Sequence, residues 1–520
     1  MKRAKKIPNP KNPPGLDAFS KKEMARLDDA RQDRCDYEER LNAFYSLAIP
    51  HRPYIGNTSD FTDRTDEDDQ DDIFDSTLQF AVSDFASDQL DKFMPNYNPW
   101  VKLKPGIALK NTASENAFKE QSEQWEETLY DLIRQTNWYE TNLEVFHDLA
   151  GAAAGTIIPL APRGQDVKIR PVLMGNLLMD EGAFSDLDGR WDEFVIRKRH
   201  LKEMFGEEVY KKIPDRTKNK AENSRVSVIQ GCRRERIKDG GYQWLWIVAI
   251  ERKIVSKTLL KPGTPAPMNV ARWRHAPPNA WGPGPADMAL PIARTLDQLA
   301  YLNLKKIAKE IDPPMSFVAD GVFNADNGIE NGTYQARRMG SEPPTPLFEP
   351  SPSQNLFFDR DIMRYEVKRA LHQDKPDQAG KTPPTAAQWI DQRTHHEQRQ
   401  QARHRVYREY VLPSLRRFAY VFAMRGELEP IKIDGQTVQA DFVNPLSKAS
   451  DSAAVSAGLQ FAQSVVGILS ETALASIDSY ETMKNMQEKL GDTTVVLREP
   501  DNQAQTIKDI VSGGGRNIVS

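Results

Sequence analysis

The chain has 520 residues, enough for two to four domains with cores of their own. Residues are 28% charged and 39% hydrophobic, with 35 prolines and a mean hydropathy of −0.63, which describes a soluble, loop-rich protein with much surface. A formal net charge of −4 excludes a globally basic nucleic-acid binder. Cys35 and Cys232 are too few and too far apart for a disulfide framework or a zinc site, and fit a reducing compartment.

The first 20 residues are rich in Lys, Pro and Asn. They start on a basic MKRAKKIPNP that no apolar core follows, so no signal peptide is expected. Helical periodicity begins near Lys21 and carries Met24, Leu27, Tyr37, Leu41, Phe44 and Tyr45, until Pro50 and Pro53 break it. The acidic run Ser59 to Asp75 lacks the glycine and the spaced glutamate of a calcium loop, and reads as a solvated loop or helix start. A helix over Ile73–Phe93 places Leu78, Ala81, Val82, Phe85, Ala86 and Leu90 on one side. Further helices are expected over about 113–137 and on into the small-residue stretch Ala150–Gly155, where close packing is possible.

Between residues 154 and 275 the pattern turns to strands: TIIPLAP, VKIRPVLMG, DEFVIRKRHL, SRVSVIQGCRRERI and YQWLWIVAIERKIVSKTLL. A hairpin turn at Gly240–Gly241 and a short helix at Leu201–Phe205 punctuate them. The expected arrangement is a mainly β module seated on a helical one, an α+β class.

A Trp/Pro/Gly knot, RWRHAPPNAWGPGP, then feeds an amphipathic helix over Ala286–Ile311. Its apolar set is Met288, Ile292, Leu296, Leu299, Ile307 and Ile311, and Pro313–Pro314 end it. At about 1.5 Å per residue such a rod is roughly 39 Å long, with Pro291 able to kink its first turns. A Gly/Asn/Pro-rich lobe (315–352) and a returning helix (354–372) make an out-and-back excursion. The polar loop Asp374–Pro384 precedes a capping box, Thr385 to Gln388, and a long Arg-rich helix to Gly426, which Pro413 should kink. A small hairpin around Asp434–Gly435 and a helical C-terminal part follow.

Motifs for chemistry are missing. No P-loop, HExxH, CxxC or GxSxG occurs, and no cofactor or metal site is expected. His395, His396, Glu397 and His404 lack the spacing of a helical metal pair. The arginines of that helix, among them Arg393, Arg399, Arg403, Arg405, Arg408, Arg416 and Arg417, could hold phosphate, but paired charges on an exposed or intersubunit face suit them better. Trp273, Trp281 and Trp389 suit packing or interface anchoring better than base stacking. Two uncharged runs, Leu149–Pro162 and Ser452–Ser470, are too short or too polar to span a membrane.

Over most of its length this order of elements resembles the portal, or head-to-tail connector, proteins of short-tailed bacteriophages (podoviruses). IFDSTLQFAVSDFASDQLDKF with NPWVKLKPG resembles the first wing segment of that family, and LAGAAAGTIIPL its small-residue stretch. NLLMDEGAFSDLDGRWDEFVIRKRHLKEMFG resembles its strand-rich module. The most specific part is RWRHAPPNAWGPGPADMALPIARTLDQL, with Trp281 where the family has a tyrosine or similar aromatic before G-x-G-P. Thr382–Gln388 departs from the usual Thr-Ala-Thr-Glu type by carrying Ala387 and Gln388.

The resemblance implies a portal fold, mainly helical with a β-rich wing module, assembling as a ring. Residues 1–284 would form the wing, 285–311 the first stem helix, 312–352 the clip and 353–372 the second stem helix. A tunnel loop (373–384), a long wing helix (385–429) and a crown with the C-terminal tail (430–520) would complete it. Such a ring, of twelve subunits, sits at one capsid vertex of the virion after assembly in the host cytoplasm. It passes double-stranded DNA during packaging and ejection, binding it weakly and without sequence preference. Its expected partners are the large terminase subunit, the major capsid and scaffolding proteins and a tail adaptor, with no membrane. Lys375 and Lys381 of the tunnel loop are candidates to face DNA. Lys305, Lys306, Lys309, Arg364, Lys368 and Arg369 are candidates to face the channel or neighbouring subunits, with Trp281, Gly282 and Gly284 at the wing–stem junction.

A conduit must hold DNA loosely, since six to ten phosphate contacts would make binding strong and steeply salt-dependent. Two alternatives stay open. One is another head–tail adaptor ring of a virion, whose subunits are usually shorter and lack the out-and-back excursion. The other is a metal-dependent nucleic-acid enzyme built on the acidic run, with Asp68 and Asp69 as ligands.

Overall fold

The computed structural model describes residues 17–52, 55, 73–97, 99–105, 114–237, 240–277, 279–311, 315–316, 345–346, 354–373, 402–433, 436–437, 440–442, 458, 482–483 and 486. Within these, helix and antiparallel sheet are mixed. In chain order they are α1 (Ala18–Ala48), α2 (Thr77–Phe93), β1 (Leu103–Pro105), α3 (Ser114–Arg134), α4 (Trp138–Gly151), β2 (Ala153–Ile157), β3 (Arg170–Val172), β4 (Leu177–Glu181) and β5 (Leu187–Arg197). Next come α5 (Leu201–Lys211), α6 (Asp215–Lys218), β6 (Arg225–Arg236), β7 (Tyr242–Ile250), β8 (Lys253–Leu259), β9 (Met268–Arg272) and α7 (Ala286–Ile311). The remainder are β10 (Met315–Ser316), β11 (Thr345–Pro346), α8 (Gln354–Ala370), α9 (Ala402–Val406), a π turn (Tyr407–Val411), α10 (Leu412–Met424), β12 (Lys432–Ile433), β13 (Gln436–Thr437) and β14 (Ala440–Phe442).

Two compact units divide the chain: Met1–Asp91 with Leu132–Leu428, and Lys92–Asp131 with Glu429–Ser520. The larger unit is built on an antiparallel sheet of order β4-β5-β6-β7-β8, in which each strand pairs with its chain neighbours. One face buries Phe194, Val226, Val228, Val248 and Ile250 against Leu201 and Ile213, with Met204 and Phe205 of α5 packed alongside. The other face packs Trp191, Ile229 and Ala249 on Met24, Leu27 and Ala30 of α1. Each Val, Leu, Ile, Phe or Met among them contributes about 1.5–3 kcal/mol by leaving water.

Helix α1 is capped by Asp17, whose carboxylate accepts the Ser20 N–H at 3.1 Å. Its sheet-facing side is part charged, which an apolar periodicity alone does not reveal. Arg31 grips Glu193 through two hydrogen bonds (2.9 and 2.5 Å), Glu23 accepts from Arg233 at 2.9 Å, and Asp28 holds Arg252 at 3.0 and 2.7 Å.

Several expected elements differ in detail. YQWLWIVAIERKIVSKTLL is two strands, because Glu251 and Arg252 both take positive φ (46° and 66°) and turn the chain between β7 and β8. No Gly or Asn marks that turn. Instead, Asp28 anchors Arg252, and Glu251 is held by Lys220 and by the Thr217 hydroxyl (2.8 Å). The expected Gly240 turn is present, with φ +89°. Helix α5 runs on past Phe205 to Lys211 across a break at Gly206 (φ +81°). The small-residue stretch is not helical throughout: α4 stops at Gly151, and Ala153–Ile157 is the fully buried centre of a second sheet, β3-β2-β9.

Helix α2 starts at Thr77 rather than Ile73, since the Asp75 carboxylate accepts the Thr77 N–H at 3.0 Å. Pro413 does not produce a simple bend. Having no N–H to give, it follows a π turn over Tyr407–Val411 and sits in the first turn of α10. The helix ends at Gly426 (φ +70°), where Gly426 N–H reaches Ala423 O and Glu427 N–H reaches Phe422 O, both at 3.0 Å.

In the smaller unit β1 pairs antiparallel with β14, and β12 with β13 flanks the expected hairpin turn. Phe118 and Ile431 are buried there against Leu103 and Trp125. Glu126 accepts the Leu103 N–H at 2.7 Å and pairs with Lys102 at 3.1 Å.

Candidate functional site

Arg272, the last residue of β9, organises the knot that precedes α7. Its wholly buried guanidinium makes two 2.9 Å bonds to Glu409 and donates to Ser185 O at 2.9 Å and Ala280 O at 3.2 Å. Trp273 and Trp281 are buried outright, Trp273 standing edge-on to Phe85 at 5.2 Å, so neither indole is open to a nucleobase. Asn279 accepts the Trp281 backbone N–H at 3.0 Å and donates to Asp33 O of α1 at 3.0 Å.

Two glycines let the backbone through. A Cβ on Gly282 would stand 2.3 Å from Arg274 O, and one on Gly284 would stand 2.2 Å from Ala150 O. Gly284 N–H meanwhile donates to Gly151 O at 3.0 Å. The contacts are with backbone, which cannot swing aside, so only glycine lets α7 begin against the end of α4.

Helix α7 occupies the range its periodicity predicts, and α8 lies beside it. Three observations fix an antiparallel sense. β10 and β11, between the helices, pair antiparallel. His372, just past α8, sits 5.8 Å from the Trp273 ring that precedes α7. At mid-length, Asp297 of α7 and Arg364 of α8 converge on residues 74 and 75.

That convergence is a strap across both rods. Asp297 accepts the Phe74 and Asp75 N–H groups at 2.7 and 3.0 Å, while Arg364 donates to the Asp75 carboxylate at 2.7 and 3.2 Å. The Phe74 ring rests on Tyr301 at 4.9 Å. Burial alone would raise the Asp75 pKa, but the bonds from Thr77 and Arg364 outweigh it and hold the carboxyl below its ordinary value.

Along α7 the buried residues are Ala286, Ala289, Leu290, Ala293, Leu296 and Ala300. Leu304, Ile307 and Ile311 continue the Ala293–Leu296–Ala300 stripe at three- and four-residue steps, yet they are exposed, Ile311 to 79%. Met288 and Leu302 lie exposed on another side of the helix, as do Ile362 and Tyr365 on α8. Of the apolar set expected from the sequence, only Leu296 is buried within the subunit. The intrachain contact thus takes the first half of the stripe, Ala293, Leu296 and Ala300, and leaves its larger far-end residues open.

The predicted charged candidates separate. Arg364 is engaged by Asp75. Lys305 lies 4.1 Å over the Tyr301 ring and Lys306 pairs with Glu310 at 3.5 Å. Lys309, Lys368 and Arg369 are exposed. Lys375 and Lys381 lie outside the described residues, as do Asp68, Asp69, the capping box, Trp389, His395, His396 and Glu397.

The arginines of the long helix do not all face outwards. Arg403 is buried against Asp88 (2.6 Å) and Gln89 (2.8 Å), and Arg417 donates to the carbonyls of Ile158 and Pro265 at 3.1 and 3.3 Å. Burial lowers the Arg417 pKa to about 10. The strap, with its partners 222 and 289 positions apart, carries no local signal in the sequence. Among the described residues no group of three or more His, Cys, Asp or Glu could hold a metal ion, and no helix is long and apolar enough to cross a membrane.

Among solved structures, the fold is similar to chains in "Neck of empty GTA particle computed with C6 symmetry" (11% identity, TM-score 0.36, 80% of this chain and 90% of that one) and "Virion of native gene transfer agent (GTA) particle" (13%, 0.33, 78% and 93%). A third similar chain comes from "Neck of native GTA particle computed with C12 symmetry" (12%, 0.32, 77% and 92%). No curated protein matches the sequence. A family model described as "Bacteriophage head to tail connecting protein" matches residues 20–497, nearly the whole length, and the chain belongs to that family.

Proposed function

We propose that this chain is the portal subunit of a tailed phage or phage-like particle, closing with its copies into a ring at the head–tail junction. In this reading α7 and α8 are the stem, the segment between them the clip, and double-stranded DNA passes through the bore during packaging and ejection. The ring docks the packaging terminase first and the tail afterwards. Its role is structural, with the packaging motor's hydrolysis of ATP left to the terminase.

The observation that carries the reading is the strapped helix pair with its unspent apolar surface. Leu302, Leu304, Ile307 and Ile311 of α7 and Ile362 and Tyr365 of α8 are all exposed in the single subunit. Exposed apolar side chains on more than one side of a strapped pair suit a head-to-tail interface, which needs two different complementary faces and closes into a ring. Family membership supports the same place in the particle. A net charge of −4 suits a bore that must not grip phosphates. Lys375 and Lys381 are proposed to face the duplex from the segment that follows α8.

Sedimentation of the purified full chain over a wide concentration range tests this. The reading expects one large closed species that persists on dilution. A monomer at every concentration contradicts it.

A further inference from the structure

A small polar pocket of about 350 Å³ lies where the end of the five-stranded sheet meets the π turn. Its wall includes Arg190 and Arg234 of the sheet, Asp186 before β5, and Arg408 and Glu409 of the π turn. The charges there do not balance. Glu409 is already taken by the two bonds from Arg272. Asp186 is taken by Arg234 at 3.3 Å, which also reaches Asp188 at 3.7 Å. Arg190 and Arg408 are left, and among the described residues neither has a carboxylate within 4.0 Å.

Arg190 is the unusual one. It is only 7% exposed and its Nε has no hydrogen-bond partner. Its guanidinium lies 4.6 Å from the Trp244 ring, and that of Arg234 lies 5.3 Å from the same ring, so one indole holds two like charges together. Cys232 beside it cannot compensate, because burial pushes its thiol pKa up and keeps it neutral. Burial above all pulls the Arg190 pKa down, and Arg234 and Arg272 add to it, while Cys232 and Glu409 offset only part of the effect. Holding this charge therefore costs free energy that a bound anion would return.

We infer that this pocket binds an inorganic phosphate ion, with Arg190 as its buried anchor and Arg408 reaching it from the π turn. Two uncompensated guanidinium charges match the roughly −1.5 to −2 of a phosphate group near neutral pH, where a lone carboxylate would leave one unmatched. The planar fork of arginine suits two phosphate oxygens at once. The ion would bridge the sheet to the long helix, whose π turn carries Arg408 at the pocket wall. This inference stands on the subunit alone and does not depend on ring assembly.

Calorimetric titration of the full chain with sodium phosphate, with chloride at matched ionic strength as control, tests it. The expected result is saturable binding of one phosphate per chain. R190Q and R408Q should each weaken it by about tenfold or more, the loss of a charge-assisted hydrogen bond. Arg408 is exposed, so R408Q decides the matter even if R190Q fails to fold. Phosphate binding that is unchanged in R408Q, absent from the natural chain, or matched by chloride overturns the assignment.

Discussion

Cutting the strap between the two rods should loosen them by a predictable amount. The Asp75 side chain is 3% exposed, so R364Q leaves a buried carboxylate held only from Thr77. A hydrogen bond to a charged group is worth about 1.5–3 kcal/mol, and the partial exposure of Arg364 puts the expected loss near 1.5 kcal/mol. D75N should cost a similar amount, and the double variant little more than either alone, giving a coupling of about 1 kcal/mol. Hydrogen exchange is the assay, because amides of 360–370 report local opening of the helix pair rather than global unfolding.

The pH dependence has a definite sign. The folded Asp75 pKa is depressed below its ordinary 3.8, so the strap is at full strength above that value and is lost as pH falls through the folded pKa. Protection against exchange at 360–370, relative to the intrinsic rate, should therefore fall below about pH 4 in the natural chain and lose most of that response in D75N. Additive effects of R364Q and D75N, with no coupling, would refute the strap.

Three further outcomes are expected elsewhere in the chain. G284A should destabilise the larger unit by about 1–3 kcal/mol in thermal unfolding, since its Cβ would meet Ala150 O at 2.2 Å and neither strand of backbone can yield cheaply. L304D with I307D should abolish assembly while the subunit keeps its far-ultraviolet circular dichroism, because both side chains are exposed within the subunit. Charge reversal at Lys375 and Lys381 together should alter DNA packaging or retention in an assembled particle, and unchanged packaging and retention would remove that loop from the account.

The two rods were legible because nothing competes with their signal. Helical spacing over 26 residues, bounded by the knot and by Pro313–Pro314, places α7 without any tertiary knowledge. Gly282 and Gly284 could be singled out as a motif, though the carbonyls that exclude a Cβ belong to Arg274 and Ala150 and no sequence rule points to them. Ala153–Gly155 was unreadable for the opposite reason. Alanine and glycine carry little strand preference, and it is pairing with β3 and β9 on both sides that makes this stretch a strand. Likewise, Glu251–Arg252 turns the chain without turn residues, held by Asp28, Thr217 and Lys220.

The site was half visible. Periodicity marks which side chains of α7 are apolar, but not which of them the chain itself covers. Ala293 and Ala300 are buried while Leu304 and Ile307 stay open, because the larger side chains lie towards the far end of the rod, where no residue from 301 onwards is buried. Asp75 ends an acidic run that reads as a solvated loop or helix start, and Arg364 reads as a candidate to face the channel or a neighbouring subunit. Their pairing depends on a fold that brings positions 289 residues apart together.

The central claim is that copies of the α7–α8 pair stand around a shared axis and leave a bore between them. Electron microscopy of the purified full chain, averaged along that axis, tests it most directly. The account predicts a perforated ring with helical rods from 286–311 and 354–370 around the hole. Rings closed through other surfaces, with these helices on the outer rim, would contradict it.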